Sequence, residues 1–148
     1  MTVSPPSAHE RTLHFDTEAL SAFLDQAFSP KARGLLGAVE LVELDHVRMR
    51  LDPRPSMLRP GGVVSGPAMM GLVDVAAYAV ILAHIGPVAM AMTNTLTINF
   101  LRVCRMEPVY ADARLLKLGR RLASVDVRLW QGSEDRLVAQ ATVGYALP

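Results

Sequence analysis

The sequence predicts an α+β chain in which one long apolar helix is wrapped by a curved antiparallel sheet. Three observations point there: a segment from Ser65 to Ile85 that is apolar on every side, two alternating segments before it, and four after it. The 148 residues are 51% hydrophobic with a mean hydropathy of +0.26, enough for one compact core and too few for a second domain.

Taken in order, residues 1–11 (MTVSPPSAHER) hold two prolines and no apolar stretch, so a mobile tail is expected rather than a signal peptide, with a single domain over 12–148. Asp16 to Phe28 carries Leu20, Phe23, Leu24 and Phe28 at helical spacing behind an acidic start, which predicts a short amphipathic helix. Between Leu36 and Asp52, Val39 and Leu41, then Val47, Met49 and Leu51, alternate with polar neighbours and predict a hairpin. Pro53, Pro55, Pro60, Gly61 and Gly62 then break every periodicity, so a loop is expected up to Ser65.

The long helix is expected to start near Ser65 and Gly66, where Pro67 suits the first turn because its missing N–H has no intrahelical partner there. It should stop at Gly86-Pro87. Four extended segments follow: Ala89 to Leu101, Val109 to Leu118, Arg121 to Trp130 and Arg136 to Leu147. Their alternation predicts antiparallel meander strands with one wet face. One helix and a curved sheet leave one sheet edge and part of the helix end uncovered, so a homodimer is expected, with a homotetramer as a dimer of dimers the next possibility.

Fifteen basic and fourteen acidic side chains, without long runs, argue against nucleic acid or an anionic membrane as partner. The apolar run from Pro67 to Ile85 is long enough to cross a bilayer, but Asp74 within it and the soluble strand patterns after it argue against a span. A lone cysteine, Cys104, excludes an internal disulfide and suits a reducing cytoplasm. His9, His14 and His46 lack metal-site spacing, and His84 in the last helical turn reads as a partner for the helix C-terminus.

Asp74 is the residue that asks for a chemical reason, because a carboxylate in a buried apolar helix is expensive to desolvate. One reason would be chemical: a carboxylate can activate an oxygen nucleophile, provided that partial positive charge nearby meets the negative charge that develops. Helix-start N–H groups provide that charge, and Gly66 lets a substrate come close. The plainer reading is that Asp74 accepts a hydrogen bond from a neighbouring strand.

In SGPAMMGLVD, in the strand TNTLTINFLR and in the hairpin KLGRRLASVDVRLW with its LVAQATV finish, the chain resembles the hotdog-fold acyl-CoA thioesterases of the phenylacetate (PaaI-like) type. The similarity runs from about Leu36 to Leu147. It implies hydrolysis of an acyl-CoA thioester to acid and CoA, with no cofactor and no metal. By position it implies Asp74 as general base or nucleophile, the Gly66 amide of a partner subunit as oxyanion donor, and Thr93 as the strand residue that helps hold the water. Ser65 stands where the family usually has His, Pro67 replaces a second Gly, and Arg59 replaces an Asn near the substrate.

The remaining candidates concern binding. Met69, Met70, Met90 and Met92 could line an acyl pocket or belong to the core. Lys117, Arg120 and Arg121 cluster at a hairpin turn, where they could meet the phosphates of CoA or simply be solvated. Arg59 is open between phosphate ligand, interface ion pair and loop anchor. Two rival functions remain: a non-catalytic acyl-CoA or ligand-binding hotdog protein, and a hydratase, which would need a His where Ser65 stands.

Overall fold

The computed structural model describes residues 11–148, so the expected tail lies outside the described residues except for Arg11. Arg11 is tied down: its Nη1 donates to Leu115 O at 3.0 Å and lies 3.4 Å from Asp45 Oδ1. Helix α1 (Thr17–Ala27) begins where Asp16 Oδ1 accepts from the Ala19 N–H at 2.8 Å, and it buries Leu20 and Leu24 completely. A single further turn, α2 (Pro30–Arg33), follows Ser29 as its cap.

The predicted hairpin is present as β1 (Ala38–Glu43) and β2 (His46–Leu51), turning at Asp45 with φ 62°. The expected loop is more ordered than its prolines and glycines suggest. It holds a 3₁₀ turn at Pro55–Met57 and a two-rung ladder of β3 (Leu58–Arg59) with β4 (Val63–Val64). Gly61 and Gly62 turn that ladder at φ 101° and 74°, a region only glycine enters cheaply.

Helix α3 (Gly66–Ile85) has its predicted bounds, capped by Ser65 and stopped by Gly86 at φ 85°. After it come β5 (Met92–Phe100), β6 (Val109–Leu118), β7 (Leu122–Trp130) and β8 (Leu137–Ala146). All six long strands form one antiparallel sheet in the order β1-β2-β6-β7-β8-β5, which corrects the simple meander. Of the four late strands only β6, β7 and β8 follow one another in the sheet; β5 pairs with β8 at the far edge and β6 with β2. Side-chain alternation tells which face a residue takes and is silent on which strand lies beside it.

The helix packs on the inward rows of the sheet, the arrangement expected from the hotdog resemblance. Those rows are small: Ala111 and Ala113 on β6, Ala139 and Ala141 on β8, facing Ala76, Ala77, Ala79 and Ala83 of α3, all without accessible surface. Small residues on both sides bring the helix axis close to the sheet and leave little void. Strand β5 differs from the other three late strands: Leu96 and Ile98 are only half-buried and Phe100 is 50% exposed, so its inward face is not closed by the described residues. Its outer edge carries no ladder partner among the described residues.

One irregularity positions the site. Between Thr95 and Thr93 the β5–β8 register slips by a bulge, so that Thr93, not Asn94, stands opposite Tyr145. Gly144 makes room: a Cβ there would lie 2.5 Å from Thr95 Oγ1 and 2.7 Å from Asn94 Oδ1. The bulge therefore turns Thr93 to the helix side.

Candidate active site

Helix α3 is not enclosed all round, which corrects the expectation of a wholly buried helix. Pro67 and Met70 are exposed and Gly71 and Asp74 half-buried, a stripe at i, i+3, i+4 and i+7 that leads to the acid. Asp74 opens onto a recess of about 490 Å³ whose apolar walls include Phe28, Leu36, Val75, Tyr78 and Ala91. Its carboxylate is thus neither sealed in the core nor free in solvent.

Two hydroxyls hold that carboxylate. Thr93 Oγ1 donates to Asp74 Oδ1 at 2.6 Å, and the Tyr145 hydroxyl donates to the same oxygen at 2.8 Å while lying 3.1 Å from the Asp74 carbonyl. Tyr145 is buried in β8, and burial pushes its phenol far up, with the neighbouring Asp74 charge adding to the shift; it is an O–H donor at any physiological pH. Its ring stacks on Tyr78 with centroids 6.2 Å apart. Tyr78 in turn donates to Ala89 O at 3.0 Å and meets Phe28 edge-on at 5.9 Å. Sequence reasoning had no place for Tyr145. The available signal was a tyrosine ending the inward row Ala139, Ala141, Val143, where its hydroxyl needs a buried partner.

Gly66 begins the same helix at its other end. Among the described residues nothing accepts from its N–H, whereas the Ala68 N–H is taken by Ser65 Oγ at 3.3 Å. Ser65, a candidate for substrate contact, therefore serves as the N-cap. Gly66 and Arg59 line a separate recess of about 490 Å³ with Met69, Phe100 and Arg102. The distance along the helix from Gly66 to Asp74 is about 12 Å at 1.5 Å per residue, so one chain does not bring the two candidates together.

Lys117, Arg120 and Arg121 line a third, shallow recess at the β6–β7 turn, with Leu147 and Pro148. Among the described residues none of these three cations forms a salt bridge. The register Ala123↔Tyr145↔Thr93 puts this turn at the same end of the sheet as Asp74. The methionines divide: Met92 lines the Asp74 recess, Met69 is buried at the Gly66 recess, and Met70 and Met90 stand exposed on the surface of the chain. Burial pushes the Cys104 thiol up to about 11, which makes it a packing residue. His84 is buried, donating from Nδ1 to Val80 O at 2.7 Å and accepting at Nε2 from the Asp45 N–H at 2.9 Å; it ties the β1–β2 turn to the last turns of the helix. No group of three or more His, Cys, Asp or Glu side chains suited to a metal ion occurs among the described residues.

The model of the thioesterase superfamily matches residues 61–143. A solved structure from Silicibacter sp. TM1040, named a "putative thioesterase", is 39% identical over 93% of this chain and 95% of its own, with a TM-score of 0.84. A phenylacetic acid degradation-related protein of Ralstonia eutropha JMP134, carrying the same description, is 26% identical over 85% of this chain and 96% of its own, TM-score 0.76. A hypothetical thioesterase of Streptococcus pneumoniae TIGR4, solved with coenzyme A, shares the fold at 22% identity, covering 74% of this chain and 84% of its own, TM-score 0.66. The esterase SSO1253 of Saccharolobus solfataricus, also named putative, is 29% identical over 97 residues; the match spans 65% of this chain and 63% of that relative's length.

Proposed function

The chain belongs to the thioesterase superfamily and is a thioester hydrolase of the hotdog fold, and from that premise we propose that it cleaves acyl-CoA thioesters at a site shared by two copies of the chain. The observation that carries the reading is Asp74: a half-buried carboxylate, held by two hydroxyls, at the mouth of an otherwise apolar recess.

In this reading the acyl group enters the recess beside Phe28, Leu36 and Tyr78, and the thioester carbonyl lies against the Gly66 N–H of the second copy. Asp74 takes a proton from water as the water oxygen bonds to the carbonyl carbon, or attacks that carbon itself and is then released by water. The carbonyl oxygen becomes an oxyanion facing the helix-start amide and its dipole. When the C–S bond breaks, the sulfur leaves with the electron pair and is protonated; acid and CoA are the products. Thr93 acts through Asp74. Lys117, Arg120 and Arg121 offer charge to the CoA phosphates at the same end of the sheet, and a relative of this fold solved with coenzyme A supports that carrier.

The homodimer reading is supported by the separation of Gly66 from Asp74 and by the edge position of β5 beside exposed Met92 and Phe100. Thiol release is to be measured over short, medium, long and aromatic acyl-CoAs with the native protein and with Asp74→Asn. Turnover that Asp74→Asn reduces about 100-fold or more while it stays folded is the expected result. A folded Asp74→Asn with full turnover overturns the assignment.

A further inference from the structure

We propose that Tyr145 is a positioning residue for this hydrolysis: its hydroxyl and that of Thr93 clamp Asp74 Oδ1, leaving Oδ2 as the single working oxygen. The inference rests on the reading of Asp74 as the catalytic carboxylate and adds to it which oxygen acts and what aims it.

A carboxylate oxygen has two lone-pair sites, and those of Oδ1 are both taken, by Thr93 Oγ1 at 2.6 Å and the Tyr145 hydroxyl at 2.8 Å. Among the described residues nothing donates to Oδ2. The acid therefore presents one engaged and one free oxygen, and only the free one can accept a water proton or bond to a carbonyl carbon. Rotating the carboxylate by half a turn would exchange the oxygens without changing this, so the clamp fixes a geometry and not an atom label.

Tyr145 is suited to aiming because it cannot move away. Its side chain is 3% exposed, its ring lies against Tyr78, and its hydroxyl reaches both the side chain and the main-chain carbonyl of Asp74. Phenylalanine would fill the same space on the inward row of β8. A buried hydroxyl there is stable only with a partner, and Asp74 is the partner. Thr93 reaches the same oxygen only because of the bulge in β5. Two strands thus converge on one helical side chain, restricting an aspartate that would otherwise sample several rotamers at the mouth of the recess.

The test compares native protein, Tyr145→Phe, Thr93→Val, the double variant and Asp74→Asn by steady-state thiol release. Tyr145→Phe and Thr93→Val are each expected to lower kcat about 10- to 100-fold with KM within about two-fold, because a misaimed group costs rate and not ground-state binding. The double variant is expected to lose less than the product of the single losses, since the first removal already frees the carboxylate. An unchanged kcat in Tyr145→Phe while Asp74→Asn is inactive overturns the clamp and leaves the Asp74 reading standing. A rise in KM alone also overturns it, placing the hydroxyl on the substrate. Full turnover by Asp74→Asn removes both readings. If the native protein cleaves none of the thioesters, carboxyl ¹³C NMR decides: the Asp74 resonance, identified by its loss in Asp74→Asn, moves in Tyr145→Phe if the clamp exists and stays if it does not.

Discussion

Asp74 follows Gly66 by eight residues on one unbroken helix, which sets the carboxylate about 12 Å along the axis from the amide that would face the oxyanion. A thioester carbonyl spans a fraction of that distance, so the proposed site draws one member of the pair from each of two chains. Asp74→Asn and Gly66→Pro chains test this when co-produced with different tags. Proline at 66 removes the N–H at a first helical position that tolerates it, and Ser65 before it is already extended at φ −72° and ψ 156°. Each homodimer should lose about 100-fold in turnover. Doubly tagged mixed dimers contain one intact site and should regain about half the native rate, the two-fold relation leaving one good pair per dimer. Mixed dimers as inactive as their parents would place the whole site in one chain.

Gly71 lines the Asp74 recess, and a Cβ added to it would lie 3.6 Å from Leu36 Cδ2, an ordinary contact. Gly71→Ala should therefore raise stability by about 1 kcal/mol through helix propensity while narrowing the recess. Thermal unfolding should shift upward. In the same variant kcat/KM for bulky acyl groups should fall more than for acetyl, with about 1 to 3 kcal/mol of discrimination available from a recess of this kind. Equal effects on all chain lengths would show that the acyl group lies elsewhere.

The helix and its acid are legible because each is a local exception. Ser65, Pro67 and Gly86 mark the ends of α3 by backbone chemistry, and Asp74 interrupts an apolar run where desolvation demands a reason. Strand β5 was legible as a strand and not as an edge, since alternation in Leu96, Ile98 and Phe100 carries no record of its neighbour. Tyr145 was hidden for the same reason. Its partner lies 71 positions away, and an aromatic residue on an inward row needs no special explanation until the register places it opposite Thr93. The turn of α2 and the β3–β4 ladder were masked by the prolines and glycines that build them.

Lys117, Arg120 and Arg121 distinguish the carrier from the acyl group. If they meet CoA phosphates, replacing all three by Ala should raise KM for acyl-CoA about 10-fold or more, one charged hydrogen bond being worth roughly 1.5 to 3 kcal/mol. KM for the matching acyl-pantetheine, which lacks the nucleotide and its phosphates, should not change. Added salt should weaken acyl-CoA binding to native protein and hardly affect the triple variant. An equal rise in KM for both substrates would make the cluster a structural feature of the hairpin.

Asp112, on the sheet face opposite α3, offers a stability prediction independent of the site. It is 7% exposed and accepts from His46 Nε2 at 2.6 Å, Arg48 Nε at 2.9 Å and Trp130 Nε1 at 2.6 Å. Burial alone would push its carboxyl up, but these three donors hold it well below the usual carboxylate range. The folded state thus prefers the ionised form more than the unfolded chain does, whose carboxyl titrates near about 3.9. That contribution is complete above the unfolded value and is lost as pH falls below it toward the folded one. Asp112→Ala leaves His46, Arg48 and Trp130 without their shared acceptor and should cost about 3 kcal/mol at pH 7. The gap between native and variant, read from urea unfolding, should shrink as pH falls below about 4. A gap that persists unchanged at pH 3 would mean that packing around the Tyr110–Trp130 stack, and not the carboxylate, supports this face of the sheet.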